Sequence, residues 1–151
     1  MSPQGFFNRL LIPVDGSKSS IKSARFGLRL AGHENCEVIA VHVIDEENAA
    51  DLALYSDRPV EEILERMKSG GESYIEEIRE IARRHGVRFV GEVRVGIPHR
   101  AILAIAGERE ADLIVMGTVG RKGPRRVLIG SVTERVIEQS TVPVLVVKGE
   151  R

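Results

Sequence analysis

The sequence predicts an α/β fold: an open parallel sheet of five strands with helices on both faces. Two observations carry this. Five short apolar segments alternate with stretches whose apolar residues recur at helical spacing, and most of the five are continuous Val/Ile/Leu runs. Strands covered on both faces read in this way, and strand–helix alternation along the whole chain argues for parallel pairing through crossover helices. With 151 residues, 42% of them hydrophobic, the chain is read as one domain, 1–151, able to bury a proper core.

The first strand is RLLIPV (9–14). Ile21, Ala24, Leu28 and Ala31 then fall at helical spacing, and Gly32 is the expected stop. The second strand is EVIAVHVI (37–44), and the segment after it, DEENAADLALYSDRP (45–59), reads as an acidic loop, helical in part at most. Ile63, Met67, Tyr74, Ile78 and Ile81 form a longer stripe ending at Gly86. Gly70 and Gly71 are expected to weaken it midway by about 1 kcal/mol each, enough to allow a kink. In the third strand, VRFVGEVRV (87–95), Val87, Phe89, Gly91, Val93 and Val95 alternate with Arg88, Val90, Glu92 and Arg94. That more polar face places it near a sheet edge. Pro98 opens a helix with Ala101, Ile102, Ile105 and Ala106 on its apolar face. DLIVMG (112–117) is the fourth strand. Ser131, with Glu134 at capping-box spacing, is expected to cap the last helix ahead of Val132, Val136 and Ile137. VPVLVVK (142–148) is the fifth strand.

Lys and Arg total 22 and Asp and Glu total 22, so no general field draws the chain to nucleic acid or anionic lipid, and neither is an expected partner. Cys36 is the sole cysteine, which excludes an intramolecular disulfide and a cysteine-based zinc site and suits a reducing cytoplasm. The first residues lack a signal peptide's apolar core, and no apolar run approaches the ~20 residues that span a membrane. The expectation is a soluble, cytoplasmic protein.

One stretch stands apart. MGTVGRKGPRRVLIGS (116–131) carries four glycines and four bases with no acid, and it joins the carboxyl end of the fourth strand to the start of the last helix. A helix start offers unpaired N–H groups and partial positive charge, and glycines let backbone amides approach a ligand. The stretch therefore reads as a phosphate site, with Ser131 either capping the helix or donating to a phosphate oxygen. A solvated surface loop is the plainer alternative. The two standard phosphate motifs are missing: GxGxxG is absent, and DGSKSS (15–20) only imitates a Walker A ending, because Leu11 stands where its first glycine belongs.

Gly117 and Gly120, followed after nine residues by Gly130-Ser131, match the G-x2-G-x9-G-[S/T] signature of the universal stress protein family, in its ATP-binding branch. The resemblance extends through LLIPVDGS, VIAVHVID, GIPHRAILAIAGEREADLIVMG and GSVTERVIEQSTVPVLVVK, nearly the whole chain. It implies a Rossmann-like, adenine nucleotide alpha hydrolase-like sheet of order 3-2-1-4-5, which reverses between strands one and four. By similarity Asp15 bonds ribose or base, Pro13 and Val14 line that end, Val43 offers backbone bonds and an apolar wall to adenine, and Met116 packs on the base. Gly117, Thr118, Gly120, Arg121, Lys122, Gly130, Ser131 and Val132 hold the phosphates. The implied ligand is ATP, or AMP or ADP, with Mg or Mn held mainly by the phosphates. Val119 stands where relatives often carry a polar or basic residue, which leaves backbone contacts at that point.

Other readings bound these roles. Asp15 before Gly16 also suits a turn or helix cap. His42 in an apolar strand is expected to be a hydrogen-bonded core residue, His99 a surface residue at a helix start, and His33 and His85 partners of helix C-termini. The apolar last strand would form an exposed edge, and the resemblance supplies cover in a homodimer paired through 142–148. Two functions use the same cleft: a nucleotide-dependent regulatory or stress-response module, and a slow ATPase or nucleotidyl- or phosphoryl-transferring enzyme. No convincing general base is found for the second, so no catalytic residue is assigned. A phosphoacceptor receiver domain would need an acid at the end of strand three, where Val95-Gly96 stand.

Overall fold

The computed structural model describes residues 5–118 and 129–148. Its elements are β1 (Arg9–Pro13), α1 (Lys18–Glu34), β2 (Glu37–Asp45), α2 (Glu46–Ser56), α3 (Val60–Arg84), β3 (Arg88–Gly96), α4 (Pro98–Glu108), β4 (Leu113–Gly117), α5 (Ser131–Gln139) and β5 (Val144–Val147). The strands form one parallel sheet of order β3-β2-β1-β4-β5, as expected. β3 is an edge strand, in line with its polar face.

Because strand side chains alternate between faces, β1 divides its apolar residues between two cores. Leu10, Ile12 and Val14 join Ala24, Leu28 and Ala31 of α1 and Ile75, Ile78 and Ala82 of α3. Leu11 faces the other way, with Ile39, Ile114 and Met116, against Ile102, Ile105 and Ala106 of α4 and Val136 of α5. Each face of the sheet thus has its own pair of covering helices, which is why both alternating sets are apolar.

Four expectations are corrected. α1 does not stop at Gly32; it runs to Glu34 and closes at Asn35, whose φ of 56° is the left-handed conformation that asparagine tolerates. Segment 45–59 is largely helical: the Asp45 carboxylate accepts from the N–H groups of Glu47 (3.1 Å) and Asn48 (3.4 Å), Glu46 and Glu47 occupy the favourable first turn, and Asp57 ends α2 at φ 53°. α2 then rests on α3 through Ala49, Ala53 and Ile63, with Val60, Leu64 and Met67 alongside. α3 is continuous through Gly70-Gly71. Gly71 is buried, and a Cβ there would fall on the His42 ring, so the glycine is a packing notch for β2. At α5 the cap is Gly130 with no side-chain hydrogen bond, and Ser131 is the first helical residue, so the Ser131–Glu134 capping box does not form. Among the described residues no helix is long and apolar enough to cross a membrane.

Candidate functional site

A cavity of about 610 Å3 opens at the carboxyl ends of β1, β2 and β4, within the size range of small-molecule sites. This is where the strand order reverses direction, the place at which open α/β sheets take ligands. Pro13, Val14 and Asp15 of the β1 end, Val43 of β2, Met116 and Gly117 of β4, and Gly130, Ser131 and Val132 at the start of α5 all border it. Thr118 lies beside this group without bordering the cavity, its carbonyl accepting from the Gly130 N–H at 2.5 Å. Gly120, Arg121 and Lys122, like Val119, lie outside the described residues.

The β1 end is held by a tight turn. The Asp15 N–H donates to Ser20 Oγ (3.2 Å) and the Asp15 carboxylate accepts from the Ser17 N–H (2.9 Å), while Ser17 Oγ accepts from the Ser20 N–H (3.1 Å) to cap α1. The turn role open to Asp15 is therefore present, and the same residue borders the cavity. Gly16 makes the turn with φ 83°, its α-carbon facing the ring of Tyr74 from α3. The next contact is His42, whose Nδ1–H donates to the Val14 carbonyl at 2.8 Å and whose ring meets Tyr74 edge to face at 5.3 Å between centroids. His42 makes the hydrogen bond expected of it but is not a core residue: it is half-buried and borders the cavity, and it couples α3 to the last residue before Asp15.

On the opposite wall, Thr133 Oγ1 donates to the Gly117 carbonyl at 2.9 Å and ties α5 to the end of β4. Gly130, the cap, and Ser131 and Val132 of the first turn of α5 border the cavity, and a helix leaves the N–H groups of its first turn without intrahelical partners. They carry the partial positive charge of a helix start, suited to an anion. Apolar contact comes from Val43, Met116 and Ile102.

His99 departs from its expected surface position. It is only 7% exposed, buried in the first turn of α4. Burial, with the nearby charges of Arg135 and Arg100, holds its pKa below the ordinary 6.5. An unfolded chain then takes up this proton first as pH falls, so the stability due to neutral His99 is complete above about 6.5 and is lost below it. His99→Gln is expected to flatten the decline in unfolding midpoint between pH 7 and about 5, measured by urea titration. A variant with the wild-type slope would show that other groups govern that range.

Sequence reasoning missed the wall contributed by α2 and α3. Asn48, Met67, Gly70 and Tyr74 all border the cavity. In the sequence Met67 and Tyr74 belong to the apolar stripe of α3, and Asn48 falls in the segment expected to be an acidic loop.

The family model of the Universal stress protein family matches residues 6–148. Universal stress protein MJ0531 of Methanocaldococcus jannaschii is 36% identical over 145 residues, spanning 96% of this chain and 84% of the relative. Among solved structures, hypothetical protein MJ0577, from the same organism, superposes with a TM-score of 0.84 at 30% identity, covering 95% of this chain and 97% of that one. A universal stress protein in complex with cAMP gives a TM-score of 0.66 at 26% identity, covering 94% and 97%.

Proposed function

The chain belongs to the universal stress protein family, and on that premise we propose that it is an ATP-binding member acting as a nucleotide-dependent regulatory module. The observation that carries the reading is the cavity at the β1/β4 reversal, apolar at Val43 and Met116 and faced by the first turn of α5. One end suits a base and the other a phosphate chain. The relative solved with cAMP supports an adenine nucleotide as the ligand class.

In this reading Asp15 holds the ribose or base, Pro13, Val14, Val43 and Met116 enclose the adenosine, and Gly117, Thr118, Gly130, Ser131 and Val132 meet the phosphates. Gly120, Arg121 and Lys122 complete that end. Among the described residues no group of three or more His, Cys, Asp or Glu is placed to hold a metal. Mg or Mn would be carried mainly on the phosphates, keeping several of its waters and supplying charge neutralisation there. Residues 1–151 act as one domain, cytoplasmic, and pair as a homodimer through 142–148. Support for the pairing is that β5 is a half-exposed apolar edge of four residues.

Calorimetric titration with Mg-ATP tests the reading. A Kd near 1 μM corresponds to about 8 kcal/mol. Gly130→Asp should fold, because φ −72° and ψ 162° at Gly130 suit any residue and Asp is a good cap. Its carboxylate would occupy the N–H groups and repel phosphate, weakening binding at least about a hundredfold. Equal affinity in wild type and variant would refute the site. Phosphate release that stays at the level of the variant supports a module, and steady turnover above it favours the slow enzyme.

A further inference from the structure

We propose that Asn48 determines specificity for the base, its carboxamide pairing with the 6-amino group of adenine and the adjacent ring nitrogen; the inference rests on the nucleotide reading above. Asn48 stands in the first turn of α2, three residues beyond the end of β2, and borders the same cavity as Val43 and Ile44. Its backbone is fixed there by the Asp45 cap. Its side chain is half-buried, yet the carboxamide finds no hydrogen-bond partner among the described residues. Half-buried at the cavity wall, the carboxamide is open to a hydrogen bond from a bound ligand without first breaking one to the protein.

The neighbouring polar side chains are already committed. His42 is bonded to the Val14 carbonyl, Asp45 to the N–H groups of α2, and Thr133 to the Gly117 carbonyl. Among the described residues that border the cavity, Asn48 is the one with a side-chain amide. A carboxamide presents an acceptor and a donor side by side, which matches adenine, where the 6-amino donor adjoins a ring-nitrogen acceptor. No carboxylate, hydroxyl or ammonium offers that pair.

The probe is purine riboside 5′-triphosphate, which is ATP with hydrogen in place of the 6-amino group. Calorimetry of the full-length chain with each nucleotide and Mg should give at least about a tenfold preference for ATP, the magnitude of one or two ligand hydrogen bonds. Asn48→Leu, similar in shape, and Asn48→Ala, a good helix former, should each reduce that preference at least about fivefold, mainly through weaker ATP binding, with the unfolding midpoint unchanged. An unchanged preference in both variants overturns the role of Asn48 while leaving the nucleotide site standing. Equal weakening of both nucleotides also overturns it, since Asn48 would then only shape the cavity. Absence of ATP binding in wild type removes the inference together with the reading beneath it.

Discussion

Leu11→Ala is expected to lower the unfolding midpoint by roughly 10 °C, through a loss of about 3–4 kcal/mol. Leu11 lies on the central strand, paired in register with Ile39 on one side and Ile114 on the other, and is fully buried. Its face packs on Ile105 and Val136 from two different helices. Truncation leaves a cavity between a hydrogen-bonded sheet and two helices anchored elsewhere, so little of the space can be refilled. Leu54→Ala is the matched comparison. That residue is 83% exposed on α2, and its loss should stay within about 0.5 kcal/mol. Denaturant titration of both variants measures the contrast; similar midpoints would mean that the β1 core does not dominate stability.

Gly16→Val should cost about 3 kcal/mol and also abolish nucleotide binding. Two causes add. A β-branched residue is strained at φ 83°, and a Cβ at this position would fall on the Tyr74 ring. A Tyr74 ring pushed aside disturbs its edge-to-face contact with His42. That movement disturbs the Nδ1–H bond to the Val14 carbonyl and the turn that positions Asp15. Tyr74→Ala separates the contributions: removing the ring relieves the clash but not the φ strain, so the double variant should recover part of the loss relative to its Tyr74→Ala parent. A fully additive pair, measured by denaturant titration, would show that Tyr74 does not constrain the turn.

The parallel sheet was legible because its strands are short and apolar on both faces, and the edge position of β3 because its alternation includes Arg88, Glu92 and Arg94. The strand order came from the family signature rather than from periodicity, which carries no information on which strands are neighbours. α2 escaped notice because its buried contacts are two alanines, Ala49 and Ala53, too small to form a visible stripe, although Asp45 followed by two glutamates was a helix-start signal. Gly71 looked like a weak point because its reason lies on another element, the ring of His42. The α5 cap was misplaced by one residue: Ser131 and Glu134 fit a capping box, but Gly130 already takes the extended cap conformation and accepts the Glu134 N–H through its carbonyl.

Site residues divide in the same way. Those carried by one continuous motif, Gly117 with Gly130 to Val132, were readable together. Asn48 and Tyr74 reach the cavity because α2 and α3 both pack against β2, which no local pattern in the sequence reveals. His99 was misjudged because its position at a helix start says nothing about what packs on that turn.

Whether the cleft between β1 and β4 takes an adenine nucleotide is tested by backbone amide spectra recorded during titration with Mg-ATP. Saturable shifts are expected at Val14, Asp15, Val43, Gly117 and Gly130 to Val132, lost in Gly130→Asp. Saturable shifts centred instead on the groove formed by Lys68, Arg79 and Glu92, or no shifts at all, would contradict a nucleotide site in this cleft.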